Sequence, residues 1–340
     1  MKTTVNENSG IYYTGQYWND LPQVLEYMCE NLTGNNKKWW VTDFKERYAP
    51  SPFKTALFLN CGNGWVERDF IDKNIVEWAA AFDYSSDLIA VAEREKGMRP
   101  IRYFRADANS VDFAENQFDL VVNVAALHHV QYLNRLCNNL CRAIKDDGLF
   151  VNFDYIGPAR NQYSYRHWRR IKLVNGSLPK GIAKWPLVKP HLPTMLITDP
   201  TEAIHSDLII STITRYFDIA ERHDTGGGIA YEILTHNSNL NKVPLDILSP
   251  QLDKVLQLDK KYTAEKKVPP LFSYFVATAR KRALHDRDML QRFQRQEDLR
   301  ELRADKKGGV YSIRDYIKLL THKITYGAMR SKLFRWLGSA

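Results

Sequence analysis

Cysteine is scarce: the 340 residues hold four, Cys29, Cys61, Cys137 and Cys141, too few and too unevenly spaced for a disulfide framework. A reducing, cytoplasmic setting follows as the expectation. Long apolar runs are missing as well. No stretch reaches the ~18 consecutive apolar residues of a membrane-crossing helix. The first ten residues, MKTTVNENSG, lack the apolar core of a secretory signal. No internal repeat or low-complexity segment is present. Cys137 and Cys141 share a helix face at i, i+4, but no further ligands stand nearby in sequence, so packing is expected and no metal.

What is abundant is basic charge, and it is unevenly placed. Lys and Arg number 48 against 39 Asp and Glu, a net of +9. From residue 280 to the end stand 16 basic and 7 acidic groups, so residues 1–279 are neutral and the tail carries the whole excess. A protein that grips nucleic acid with its main fold puts the basic groups there, so a nucleic-acid partner is disfavoured. Residues 313–337 form a helical pattern with Ile313, Ile317, Leu320, Ile324 and Ala328 on one face and most Lys and Arg elsewhere. That pattern suits an anionic membrane surface or a partner protein, and oligomerisation is open.

Short apolar runs alternate with helical patterns between residues 55 and 155. Strands are expected at 55–59, 75–82, 101–105, 118–124 and 148–155, with helices at 66–73, 85–96 and 133–144. This alternation implies α/β architecture, a mostly parallel sheet with helices on both faces. It stops at Gly157-Pro158. Residues 159–212 are aromatic, basic and proline-rich without a clean period, and strand and helix signals resume at 217–222, 229–234 and 272–280. A charged helix is expected at 284–304, ended by Lys306-Lys-Gly-Gly309.

The first strand feeds the turn Asn60-Cys61-Gly62-Asn63-Gly64, and a helix follows. Glycines there let a ligand approach the backbone, next to free N–H groups at the helix start. Asp83 ends the second strand, 19 residues after Gly64, the distance at which a carboxylate accepts from ribose hydroxyls. Asp107 follows the third strand and suits an adenine amine; Asn123 lies at the end of the fourth. An Asp at a strand end also caps the next helix, but the set on successive strand ends favours an adenosine-containing ligand. A dinucleotide fingerprint wants a third glycine where Glu67 stands. A carboxylate there repels a pyrophosphate and tolerates a positively charged sulfonium.

This pattern resembles the class I S-adenosylmethionine-dependent methyltransferases over residues 11–280. It is carried by residues 57–67, Phe82-Asp-Tyr-Ser85, Phe104-Arg-Ala-Asp107, residues 118–130 with Leu127-His-His-Val130, and Ile144-Lys-Asp-Asp-Gly-Leu-Phe150. The turn around Cys61, Asp154-Tyr-Ile-Gly-Pro158 and Gly226-Gly-Gly228 look like a bacterial subgroup associated with polysaccharide and O-antigen genes. The resemblance implies a Rossmann-like seven-stranded sheet in a domain at 1–280, a substrate-covering insertion at 157–212, and a helical C-terminal extension at 281–340. It implies S-adenosyl-L-methionine as cofactor, held by Asn60, Cys61, Gly62, Gly64, Asp83, Tyr84, Asp107, Ala108 and Asn123. Two positions depart from the pattern: Phe58 replaces its usual acid and Asn60 its first glycine. Trp18 and the Asn60-Cys61 backbone are the candidates to supply contact at the methionine end.

Methyl transfer to an alcohol calls for a general base. His128 and His129, after the fourth strand, and Asp154, at the end of the fifth, are the candidates. Tyr155, Arg160, Tyr163 and Trp168 mix aromatic faces with donors and are expected to hold a sugar. The expected activity is O-methylation of a sugar hydroxyl on a bacterial surface glycan, in the cytoplasm or at the inner face of the membrane. A small metabolite or lipid acceptor, or an RNA-modifying role, are the alternatives.

Overall fold

The computed structural model describes residues 17–309. Its centre is one seven-stranded sheet in the order β3-β2-β1-β4-β5-β7-β6. The strands are β1 (Phe53–Leu59), β2 (Val76–Asp83), β3 (Ile101–Arg105), β4 (Phe118–Val124), β5 (Ile144–Tyr155), β6 (Phe217–Gly226) and β7 (Phe272–Ala279). The first five run parallel; β7 is antiparallel to both β5 and β6. This is a doubly wound, Rossmann-like sheet. Strand order reverses between β1 and β4, so their carboxyl ends splay apart and leave a crevice.

Alternate side chains of one strand enter different layers. Leu57, Leu59 and Val121 pack with the helices Leu133–Ala143 and Ile209–Tyr216. Ala56, Phe58 and Val122 pack on the other face with the helices Trp40–Tyr48 and Trp65–Asp72. Both faces are dry, which is why these strands read as continuous apolar runs. Phe58, at the acid position of the resemblance, meets Phe70 edge-on at 5.3 Å between ring centroids.

A third apolar cluster sits at the carboxyl edge of the sheet and joins the insertion to the body. It includes Trp18, Tyr155, Tyr163, Trp168, Ile171, Ile229, Leu252 and Leu271. Inside the insertion, Ser164 opens the helix Tyr165–Gly176 by accepting from the His167 N–H at 3.2 Å. The segment expected to lack periodicity thus holds a capped helix and a second, Leu192–Thr198. The longest unexpected element is the helix Leu245–Ala264.

The charged helix spans Arg287–Gly309 and runs through the lysine–glycine segment expected to end it. It is held to the body by polar contacts. The buried Glu297 accepts from the Asn134 backbone and side chain at 3.2 and 2.9 Å. Asp298 accepts from Gln131 and Tyr132, both at 2.9 Å. Glu301 pairs with Arg160, and Arg300 with Asp207. The amphipathic pattern at 313–337 lies outside the described residues. All four cysteines are free and buried. No helix among the described residues is long and apolar enough to cross a membrane.

Candidate active site

The crevice begins with backbone that ordinary residues avoid. Asn60, just past β1, and Ala125, just past β4, both have left-handed φ, 41° and 52°. Gly62 and Gly64 follow at 58° and 80°. Gly64 is required twice over: a Cβ there would lie 2.4 Å from the Tyr103 hydroxyl oxygen and 2.9 Å from the Ala92 Cβ. Cys61 is buried and its N–H continues the sheet to Phe82 at 2.8 Å. The Asn60 amide reaches the Ala126 carbonyl across the crevice at 3.5 Å.

Asp83 stands at the end of β2, half-buried. One carboxylate oxygen accepts from the Gly62 N–H at 2.9 Å and the other from the Ser85 N–H at 2.8 Å. Asp107 uses one oxygen for the Asn109 N–H and side-chain amide. Neither carboxylate is in a salt bridge with any described residue, and each oxygen keeps room for a further donor. Tyr84 is exposed, with the Arg105 guanidinium 5.4 Å from its ring centroid. Ala108 is buried beside Phe82 and Phe118 in one cluster.

Glu67 is turned the other way. It is completely buried under the glycine turn, near Tyr103 and Cys61. Burial pushes its carboxyl up to about 7, against the pull of nearby Arg68. Glu67 is thus placed away from the crevice surface, whereas the sequence set it beside a ligand.

Asn123 departs from the expected cofactor contact. It is fully buried, and its amide donates to Asn152 Oδ1 at 2.6 Å and Asp154 Oδ2 at 2.7 Å, while its oxygen accepts from the Leu127 N–H at 3.1 Å. It positions Asp154 and offers nothing to a ligand. Trp18 departs likewise. Its ring stacks on Phe272 at 5.6 Å, edge to Tyr231, with 2% exposure, so it is wall and not contact surface.

Asp154 is the hub. Fully buried at the end of β5, it accepts from the Asn123 amide, the Ala126, Leu127 and Tyr155 N–H groups, and His128 Nδ1 at 2.6 Å. Two of those donors open the turn Leu127–His129, so one carboxylate shapes the turn and orients the imidazole it carries. Burial pulls the His128 pKa down, but the Asp154 charge and hydrogen bond outweigh it and raise it to about 9. Burial pushes Asp154 up, and the His128 charge and hydrogen bonds bring it below the usual range. The His129 ring lies 4.1 Å from that of His128; burial and the neighbouring imidazolium lower its pKa. Its Nδ1 is 3.2 Å from Thr201 Oγ1.

Sequence reasoning missed Glu202. One carboxylate oxygen lies 3.9 Å from Nε2 of both histidines, bringing three titratable groups together at the mouth. No local signal marks it, because it arrives from the far end of the insertion. It also missed Asp259, fully buried, which accepts from the Gly227, Ile229 and Ala230 N–H groups and the Tyr27 hydroxyl. Here a signal existed: Asp259 continues the buried face Leu252, Val255, Leu256 of its helix.

The four residues expected to hold substrate are all buried. Tyr163 and Trp168 stack on each other at 5.9 Å, and Tyr155 packs against Phe272. The Arg160 guanidinium is engaged by Glu301 and the Pro200 carbonyl. None is available to stack on a sugar or grip an anion. His167, 2.5 Å from the Gly228 carbonyl, and His205, which burial and nearby Arg300 and Arg160 hold at about 4, are buried too.

Residues 57–152 match the family model of a methyltransferase domain. The uncharacterized methyltransferase YcgJ of Bacillus subtilis is 27% identical over 106 residues, which are 30% of this chain and 41% of that protein. The human mitochondrial arginine-hydroxylase NDUFAF5 is 30% identical over 102 residues, 30% of this chain and 29% of that one. The chain thus spans less than half the length of these relatives. A solved structure of Haemonchus contortus phosphoethanolamine N-methyltransferase 2 with S-adenosyl-L-methionine has 16% identity and a TM-score of 0.45, covering 81% of this chain and 60% of that one. The stretch that matches the methyltransferase-domain model, residues 57–152, supplies β1 to β4 and most of β5 of the Rossmann-like sheet.

Proposed function

We propose that this protein is an S-adenosylmethionine-dependent methyltransferase acting on an oxygen nucleophile. The observation that carries the reading is the Asp154–His128 pair, built into the turn just past β4, on the same edge of the sheet as Asp83 and Asp107. Asp83 and Asp107 fit the cofactor chemically. Carboxylates receive ribose hydroxyls and an adenine amine and favour a cation over a phosphate.

When bound, the cofactor supplies a methyl on a sulfonium, which departs as a neutral thioether. The chain's part is proton handling and positioning. His128 Nε2 takes the proton of the acceptor hydroxyl as its oxygen bonds to the methyl carbon and the carbon–sulfur bond breaks. Asp154 stabilises the imidazolium that results.

Within that class, a sugar hydroxyl of a bacterial surface glycan is the acceptor we propose. Its support is the likeness of residues 61–67, 154–158 and 226–228 to that subgroup. The buried aromatics do not add to it, so His129, Glu202 and Thr201 at the mouth are the acceptor contacts in this reading. The test is transfer of tritiated methyl to fractionated glycans, lipids and small metabolites, repeated with His128→Ala. Label in glycan that falls at least about a hundredfold in the variant supports the reading. Label only in lipid or metabolite fractions overturns the acceptor, and label unaffected by the variant overturns the base.

A further inference from the structure

The neutrality of residues 1–279 conceals a strong local imbalance. Between Asp154 and Asp199 there is no acidic residue, while Arg160, Arg166, Arg169, Arg170, Lys172, Lys180, Lys184 and Lys189 are basic. The rest of that stretch of chain is therefore net acidic, and the insertion is a cationic body on an anionic one. Its helix Tyr165–Gly176 is two-faced. His167, Trp168, Ile171 and Val174 are buried against the cluster that contains Tyr155. The opposite face presents Tyr165, Arg169, Lys172 and Leu173 at i, i+4, i+7 and i+8.

Two features of that outer face are unusual for a solvated helix. Its apolar side chains are far out of the protein: Tyr165 is 78% exposed and Leu173 62%, while Trp185, 84% exposed, lies past the helix's C-terminal end. Trp185 is held beside the helix's end because the flanking Lys184 backbone exchanges two hydrogen bonds with the Asn175 side chain, at 2.8 and 3.1 Å. The exposed cations Arg166, Arg169, Lys172 and Lys180 form no ion pair with any described residue, and Lys254 adds its charge where its Nζ meets the Ser177 carbonyl. Tyr and Trp tips amid unpaired Lys and Arg are the chemistry of a bilayer interface, rings at headgroup depth and cations against lipid phosphates.

We infer that the outer face of residues 165–185 docks on an anionic lipid bilayer, independently of the residues past 309. Through the inner face of the same helix, docking holds the crevice wall at the membrane surface.

The test is sedimentation of the full-length chain with vesicles of phosphatidylcholine alone and of phosphatidylcholine mixed with phosphatidylglycerol. The comparison variants are Arg169→Gln/Lys172→Gln and Leu173→Ser/Trp185→Ser, all at exposed positions and checked by circular dichroism. Binding confined to the anionic vesicles, weakened about tenfold or more by each pair, supports the inference. So does quenching by brominated lipid that disappears in Trp185→Phe. Failure of the full chain to bind anionic vesicles, or binding equal in the variants, overturns it. Capture by an oligonucleotide with no lipid quenching of Trp185 also overturns it and makes the face a nucleic-acid surface.

Discussion

At pH 7 the His128 imidazole of the free protein carries a proton, because Asp154 lies 2.6 Å away and raises its pKa to about 9. As a base it must first lose that proton. The ratio kcat/KM is therefore expected to climb with pH and level off near 9, since it reports the free protein. Asp154→Asn removes the charge, so the profile moves to lower pH while the rate falls by roughly a hundredfold or more. That variant also puts an amide among five donors, so Glu202→Gln at the open mouth is the companion test. It removes a smaller part of the same field and shifts the profile down by less, with the fold intact. A profile unmoved by both changes removes His128 from the chemistry. The same pair affects stability. His128 is raised, so its contribution is complete below its ordinary value near 6.5 and is lost as pH rises through about 9. Asp154 is lowered, so its contribution is present above its ordinary value and is lost as pH falls through the depressed one.

The elements divide by how they keep water out. β1, β2, β4 and β5 were legible because a strand buried on both faces must be apolar throughout, and the turns after them must carry Gly or Asp. Asp83 and the Gly62–Gly64 turn were legible for the same local reason. Asn123 and Trp18 were not, because burial is decided by distant partners: Asn152 on the next strand, and Phe272 and Tyr231 beyond the insertion. The helix Leu245–Ala264 has Pro244 at its N-cap and Pro250 inside it, residues that ordinarily interrupt a helical pattern. Its Asp259 organises the glycine turn, in which Gly226 and Gly227 have φ of 84° and 88°. Asp259→Ala strands several buried donors at once and is expected to cost about 3 kcal/mol or more, read as a fall in the urea midpoint. Asp259→Asn, which keeps one acceptor oxygen, is expected to cost less. Equal and small effects refute the anchoring role.

Over the whole molecule, charge is sorted by task. Acidic groups line the crevice, the insertion is cationic, and the helix Arg287–Gly309 returns acids to Asn134 and Gln131 on the body and to Arg160 in the insertion. The simple ledger of a neutral body and a basic tail misses this sorting, because the sum over residues 1–279 cancels. The crevice is the centre of that arrangement, and its ligand is the point at which every later step stands or falls. The most direct measurement is calorimetric titration of the full-length chain with S-adenosyl-L-methionine and with NAD, on the wild type and on Asp83→Ala. A saturable heat with the sulfonium alone, weakened about a hundredfold in the variant as charge-assisted hydrogen bonds are lost, is the predicted result. No heat with S-adenosyl-L-methionine, equal binding of the dinucleotide, or an affinity untouched by Asp83→Ala would contradict it.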